Sequence, residues 1–243
     1  MRKKKDTIFL LDGYIAHRGL HNISENVPEN TILAFKKAIN KNLTIELDVH
    51  ILKDGQIIVF HDDNLKRLTG INKELKHLTY EEIKNLKVGS SNEGIPLLKD
   101  VLSLVSGKVP LIIELKYDVK CGILEKELIK LLKNYNGKFA IKSFNPRSVY
   151  YFKKHFPEAI RGQLLGEFKT KKYFNAKRVF FKNLLFSFIS KPDFISCDSK
   201  ILNDKYIKCF RKKGIVLAWT IRNKKEIQIL NNLCDNFICE DIL

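Results

Sequence analysis

The stretch from Thr44 to Asp62, T-I-E-L-D-V-H-I-L-K-D-G-Q-I-I-V-F-H-D, constrains the fold more than any other part of this chain. Two apolar runs flank Lys53-Asp54-Gly55, an Asp-Gly reversal of the kind that closes a hairpin. Side chains alternate faces along a strand, so Glu46 and Asp48 project the same way, about 7 Å apart. Two carboxylates therefore meet on the buried side of an Ile/Leu/Val segment, where leaving them unpaired is costly. Something positive must sit between them. A metal ion satisfies that need, and so does an Arg or Lys; this stretch alone leaves both readings open. The second run ends on His61-Asp62, which delivers an imidazole to the same end of the hairpin.

The rest of the chain alternates between short apolar runs and amphipathic ones. Gly13 to Ala16 reads as a short buried strand running into His17-Arg18-Gly19. Ile32, Phe35, Ala38 and Ile39 then recur at helical spacing behind Asn30 or Thr31 as N-cap. After the hairpin, residues 63–94 are polar and turn-rich, with a short helix near Tyr80 to Leu86 announced by Thr79-x-x-Glu82. A helix follows to Val105, then a strand over Val109 to Lys116, with Glu114 and Lys116 at its end. Helices are expected over Gly122 to Tyr135, Pro146 to His155, Asn203 to Lys213 and Lys224 to Leu233. Strands are expected over Phe139 to Phe144, Ile160 to Leu164, Asp193 to Cys197, Ile215 to Thr220 and Asn236 to Cys239. About eight strands, each followed by a helical pattern, imply a parallel sheet covered on its outside. In a chain of 243 residues without a Pro/Gly/Ser-rich linker, that pattern predicts one domain, a closed (β/α)8 barrel with a small insertion after the second strand.

Bulk properties narrow the partners. A net charge of +17 favours an acidic substrate or partner, although a lysine-rich solvated surface gives the same number. No nucleic-acid motif appears, and no obligate protein partner is indicated. The five cysteines include no C-x-x-C pair, so neither a disulfide framework nor a zinc site is indicated; they read as small core hydrophobes of a reducing compartment. The basic start M-R-K-K-K is followed by an apolar run that stops at Asp12, too short for an export signal or a bilayer span. A cytoplasmic location is expected.

Within the barrel the polar residues gather at carboxyl ends of different strands: His17 and Arg18, Glu46 and Asp48, His61, Glu114 and Lys116, Trp219 and Thr220. With H-R-G at 17–19, P-E-N-T at 28–31, E-L-D at 46–48, H-D at 61–62, E-L-K at 114–116, S-F-N-P at 143–146 and W-T at 219–220, the chain resembles the glycerophosphodiester phosphodiesterases from Ala16 to about Asp241. The resemblance implies a TIM barrel, one divalent cation, and hydrolysis of a glycerophosphodiester to sn-glycerol 3-phosphate and an alcohol. It implies Glu46, Asp48 and Glu114 as metal ligands, and an all-oxygen set suits Mg2+ or Ca2+ better than zinc. It implies His17 and His61 as the acid/base pair, Arg18 and Lys116 as phosphate-binding groups, and Trp219 as a wall against the glycerol. Three carboxylates, a divalent ion, Arg18 and Lys116 leave a local charge of +1, a complement to the single negative charge of a phosphodiester.

Two features depart from the pattern. The chain ends F-I-C-E-D where relatives carry Thr-Asp, which places Glu240 at a strand end, and Arg161-Gly162-Gln163 puts Gln163 within reach of substrate or of a neighbouring loop. Between Phe168 and Ile189, aromatic and aliphatic residues interleave with Lys and Arg. That segment reads either as an outer barrel helix or as a basic amphipathic element in peripheral contact with an anionic membrane. On the second reading the substrate is a lysophospholipid or another lipid phosphodiester; a third reading is a non-catalytic basic barrel that binds polyanions.

Overall fold

The computed structural model describes residues 6–116, 121–166 and 187–242. Its strands are β1 (Ile15–Ala16), β2 (Thr44–Ile51), β3 (Ile57–Val59), β4 (Leu111–Leu115), β5 (Phe139–Ser143), β6 (Ile160–Leu165), β7 (Phe194–Asp198), β8 (Ile215–Ile221) and β9 (Asn236–Cys239). All but β3 run parallel in the order β1-β9-β8-β7-β6-β5-β4-β2, and pairing of β1 with β2 closes the barrel. The strand β3 is the return arm of the expected hairpin, antiparallel to the far end of β2. The helices are α1 (Ile32–Asn40), α2 (Lys66–Thr69), α3 (Tyr80–Ile83), α4 (Leu98–Val105), α5 (Ile123–Lys133), α6 (Pro146–His155), α7 (Ser187–Ser190), α8 (Lys205–Arg211) and α9 (Lys224–Leu230).

Strand alternation divides each apolar run between two cores. Leu111, Ile113 and Leu115 of β4 face outward with Ile45, Leu47 and Val49 of β2, and pack under helices that contribute Phe35, Val101 and Leu128. Ile112 faces inward with Ile15, Ala140, Phe194, Leu217 and Ile238. Phe9 and Leu10, from a 3-10 turn ahead of β1, fill the same interior. The Asn236 amide donates to the Leu10 and Gly13 carbonyls and ties that turn to β9, closing the amino-terminal end. With one end plugged by apolar side chains, the polar residues are left to the other end, where strands hand over to helices.

The stretch 63–94 has a small core of its own, in which Leu65, Leu75, Leu78, Ile83 and Val88 pack on Ile58 and Phe60. The expected Thr79/Glu82 capping box starts α3. The last helices are shorter than their periodicity suggests: α8 starts after Asp204 and α9 ends at Leu230. The segment expected to be amphipathic lies outside the described residues from Phe168 to Phe186; beyond it, α7 is held where Lys153 Nζ donates to the Ile189 carbonyl at 2.6 Å. Among the described residues no helix is long and apolar enough to cross a membrane.

The turn after β1 is the tightest point near the polar end. Gly19 has φ +80°, and a Cβ there would lie 2.9 Å from the Phe35 ring and 3.1 Å from the Ala34 backbone. Gly19→Ala is expected to destabilise the protein by about 1–3 kcal/mol, because strain and overlap add. An unchanged urea midpoint for that variant would show that the turn tolerates a side chain.

Candidate active site

The site is built on the register of three adjoining strands. Asp48 of β2 lies beside Glu114 of β4, which lies beside Lys142 of β5, and Glu46 is one inward position below Asp48. Glu46 is 0% exposed, Asp48 1% and Glu114 6%, and each offers an oxygen within 4.8 Å of the others. Lys116 Nζ sits 2.8 Å from Asp48 Oδ1 and 2.7 Å from Glu114 Oε1. Lys142 Nζ sits 2.8 Å from Glu46 Oε1 and 3.4 Å from Glu114 Oε2. Burial opposes the charge on Asp48 and Glu114, but Lys116 with Arg18 at Asp48, and Lys116 with Lys142 at Glu114, overcome it and hold both carboxyls below their ordinary range. The same attraction, against burial, holds Lys116 and Lys142 above theirs.

The two readings of the acid pair therefore coexist. The acids converge in a geometry that suits a cation, and lysines stand where the cation would compensate them. Three carboxylates in a buried, all-oxygen cluster fit a hard divalent ion such as Mg2+ or Ca2+. Lys142 corrects the charge count: the three acids are neutralised by Lys116, Lys142 and Arg18 before any ion arrives, so a divalent ion brings the local sum to +2 rather than +1. Sequence reasoning passed over Lys142 although the signal was present, since it shares a strand face with Ala140 in F-A-I-K-S.

The turn after β1 supplies the next layer. Arg18 has φ 55°, a left-handed conformation that aims its amide at Glu46 Oε2 at 3.1 Å. Its side chain reaches Asp48 Oδ2 at 3.4 Å and Glu29 Oε1 at 2.7 Å. The P-E-N-T run explains itself residue by residue. Glu29 pairs with Arg18 and Arg67, Asn30 Nδ2 donates to Asp48 Oδ2 at 2.9 Å, and Thr31 caps α1. Glu46 Oε2 and Asp48 Oδ2 are thus each held by a fixed donor, whereas Glu46 Oε1 and Asp48 Oδ1 have only the ammonium groups of Lys142 and Lys116 beside them and no hydrogen bond among the described residues.

The histidines flank the acids. His17 Nε2 is 3.9 Å from Glu46 Oε2, and its Nδ1 is hydrogen-bonded to Glu240 Oε1, from the neighbouring strand end. His61 Nδ1 bonds Asp62 Oδ1 at 2.6 Å, and Arg67 grips Asp62 through Nε at 2.6 Å and a terminal nitrogen at 3.0 Å. Burial raises the Asp62 carboxyl, but Arg67 and His61 together bring it down to about 2. Both imidazoles add, after Lys116 and Arg18, to the positive surroundings that lower the Asp48 carboxyl. Arg67, in the inserted segment, was not singled out from the sequence: Asp62 is close to it in the chain, but Glu29 is 38 residues away and only the fold brings that carboxylate alongside.

Trp219 stands on β8, four strands round the barrel from β4, and so faces the acids across the mouth. Its ring meets Phe144 edge-on at 6.0 Å and lies over Gly166, where a Cβ would approach it to 3.0 Å. Gln163 is placed apart from this group. It pairs in register with Ser143, on the face opposite Lys142, and its Nε2 donates to the Ser143, Phe144 and Leu164 carbonyls at 3.0, 3.2 and 3.2 Å.

The carboxyl end of the (β/α)8 barrel thus carries buried acids, two carboxylate-held imidazoles and cations. Residues 17–241 match the model of the glycerophosphoryl diester phosphodiesterase family, and the chain belongs to that family. The Bacillus subtilis protein YhdW is 34% identical over 221 residues, 87% of this chain and 86% of its own. A glycerophosphodiester phosphodiesterase of Caldanaerobacter subterraneus is 40% identical over 164 residues, 62% of this chain and 65% of its own. An Oleispira antarctica phosphodiesterase, solved in complex with the product sn-glycerol-3-phosphate, superposes with a TM-score of 0.76 at 25% identity, covering 96% of this chain and 94% of that one.

The lysine that bridges the acids offers a direct check. Lys142→Met leaves Glu46 buried beside an uncharged neighbour and is expected to destabilise the metal-free protein by about 3–5 kcal/mol. Millimolar Mg2+ or Ca2+ should recover part of that loss. Equal urea midpoints for the variant and the parent in EDTA would contradict this account of the charge balance.

Proposed function

We propose that this enzyme hydrolyses glycerophosphodiesters to sn-glycerol 3-phosphate and an alcohol, using a divalent cation held by Glu46, Asp48 and Glu114. The observation that carries the reading is the convergence of those three buried carboxylates from adjoining strands, with His17 Nε2 3.9 Å from Glu46. The product bound in the Oleispira relative supports the substrate class. When bound, the ion supplies a Lewis acid for the phosphoryl oxygen, Mg2+ or Ca2+ suiting the oxygen donors.

The protein's own groups do the proton work. Glu240 and Asp62 hold the Nδ1 atoms of His17 and His61, which leaves Nε2 of each ring to take or give a proton. One imidazole takes a proton from the attacking water as the water oxygen bonds to phosphorus. The bond from phosphorus to the alcohol oxygen breaks, and the other imidazole, protonated, gives its proton to that leaving oxygen. Arg18 and Lys116, both against Asp48, balance the charge that gathers on the phosphoryl oxygens. Trp219 offers an apolar face to the glycerol carbons.

Glycerophosphocholine hydrolysis, followed by release of glycerol 3-phosphate, tests the reading. Activity should vanish in EDTA and return with Mg2+ or Ca2+. His17→Ala and His61→Ala should each lower turnover by about 10²-fold or more while the circular dichroism spectrum is unchanged. Parent-like rates in both variants would end the proposal.

A further inference from the structure

The turn after β1 and the end of β9 bring together a second group of metal-ligating side chains, different in chemistry from the acid cluster. Register pairs Ala16 with Cys239, so His17 and Glu240 emerge side by side, and the His17 amide donates to the Cys239 carbonyl at 3.1 Å. The left-handed Arg18 and Gly19 then fold the chain back and deliver His21 to the same place. His17 Nδ1 already contacts Glu240 Oε1, and His21 Nε2 lies 3.7 Å from that oxygen. One ligand atom from each of the three lies within 4.8 Å of the others. His21 Nε2 is buried and has no hydrogen-bond partner among the described residues. An imidazole nitrogen is seldom left so, because its desolvation goes uncompensated. Arg222 takes the other oxygen, Glu240 Oε2, at 2.9 Å and leaves Oε1 to the two rings.

We propose that His17, His21 and Glu240 form a second metal site, selective for a borderline ion such as Zn2+, whose occupation switches off the acid/base function of His17. Two imidazoles and a carboxylate are a zinc donor set. Ligand atoms around a tetrahedral zinc ion stand about 3.3–3.5 Å apart, so small side-chain movements close the group. Imidazole donors favour Zn2+ over Mg2+ or Ca2+, whereas the three carboxylates favour the hard ions, so the two sites sort metals by donor type.

The inhibition follows from the tautomer. With Glu240 accepting a hydrogen bond from Nδ1–H, the lone pair of the His17 ring is on Nε2, toward the acids. A metal ion at Nδ1 takes the lone pair there, and the proton moves to Nε2. The ring then has no lone pair left with which to accept a proton. This consequence rests on the acid/base reading of His17; the binding itself does not.

Zn2+ is titrated calorimetrically into the protein at saturating Mg2+, in a Cys209→Ser background that removes the exposed thiol. One Zn2+ per chain is expected to bind, to weaken at least tenfold in His21→Ala and in His21→Gln, and to persist in Glu114→Gln. Co2+ substituted at the site should show the visible absorption of nitrogen coordination, lost in both His21 variants. Zn2+ should inhibit glycerophosphocholine hydrolysis by the parent at least tenfold more strongly than by His21→Ala. Absence of Zn2+ binding, or binding that survives both His21 variants and is lost in Glu114→Gln, overturns the proposal. A protein that binds Zn2+ through His21 yet hydrolyses no glycerophosphodiester would keep the site and refute the catalytic reading.

Discussion

Burying three carboxylates in one layer of a barrel is the constraint around which the rest is arranged. Glu46, Asp48 and Glu114 are almost without solvent, so their charge must be met inside the protein. Lys142 rises from the next strand, Lys116 curls back from the end of β4, and Arg18 is turned in by a left-handed backbone. Lys142 is itself buried and Lys116 and Arg18 are largely so, and the charge of each is favoured by the acids. Neither set is stable alone, and together they form a polar lid on an apolar barrel.

The same charges are tied into a network of fixed contacts that preorganises the site. Asn30 fixes Asp48 from the side, and Glu29 links Arg18 to Arg67, which in turn holds Asp62 against His61. The inserted segment belongs to this network through Arg67, so its small core around Leu65 and Leu75 serves the placement of an imidazole. At the opposite end of the barrel, Phe9, Leu10 and Asn236 close the interior without any of this charge. The protein thus keeps its stabilising apolar contacts and its costly polar ones at different ends.

Glu240 shows how one residue outside the familiar motifs alters the options of a site. It holds His17 in the tautomer that presents Nε2 to the acids, as Asp62 does for His61. It also stands beside His21, which Asp62 has no counterpart for among its bonded partners. The two imidazoles, equivalent in the sequence reading, therefore sit in different surroundings, one braced by an arginine on the inserted segment and one beside a second ring.

Much of this was legible in the chain itself, because periodicity is a local property. A run such as L-I-I-E-L between turn signals reads as a strand buried on both faces, and alternation puts Glu46 on one face with Asp48 and Glu114 on one face with Ile112. The hairpin at Asp54-Gly55, the Thr31 cap and the P-E-N-T run could be read for the same reason. What only the tertiary structure decided were the partners across strands. It set Lys142 beside Glu114, brought Glu240 and His21 to His17, joined Arg67 to Glu29 and turned Gln163 to the outer face. Those contacts depend on how the barrel staggers one strand against the next, and the closing of eight strands on one another determines that stagger, which no single stretch of sequence carries.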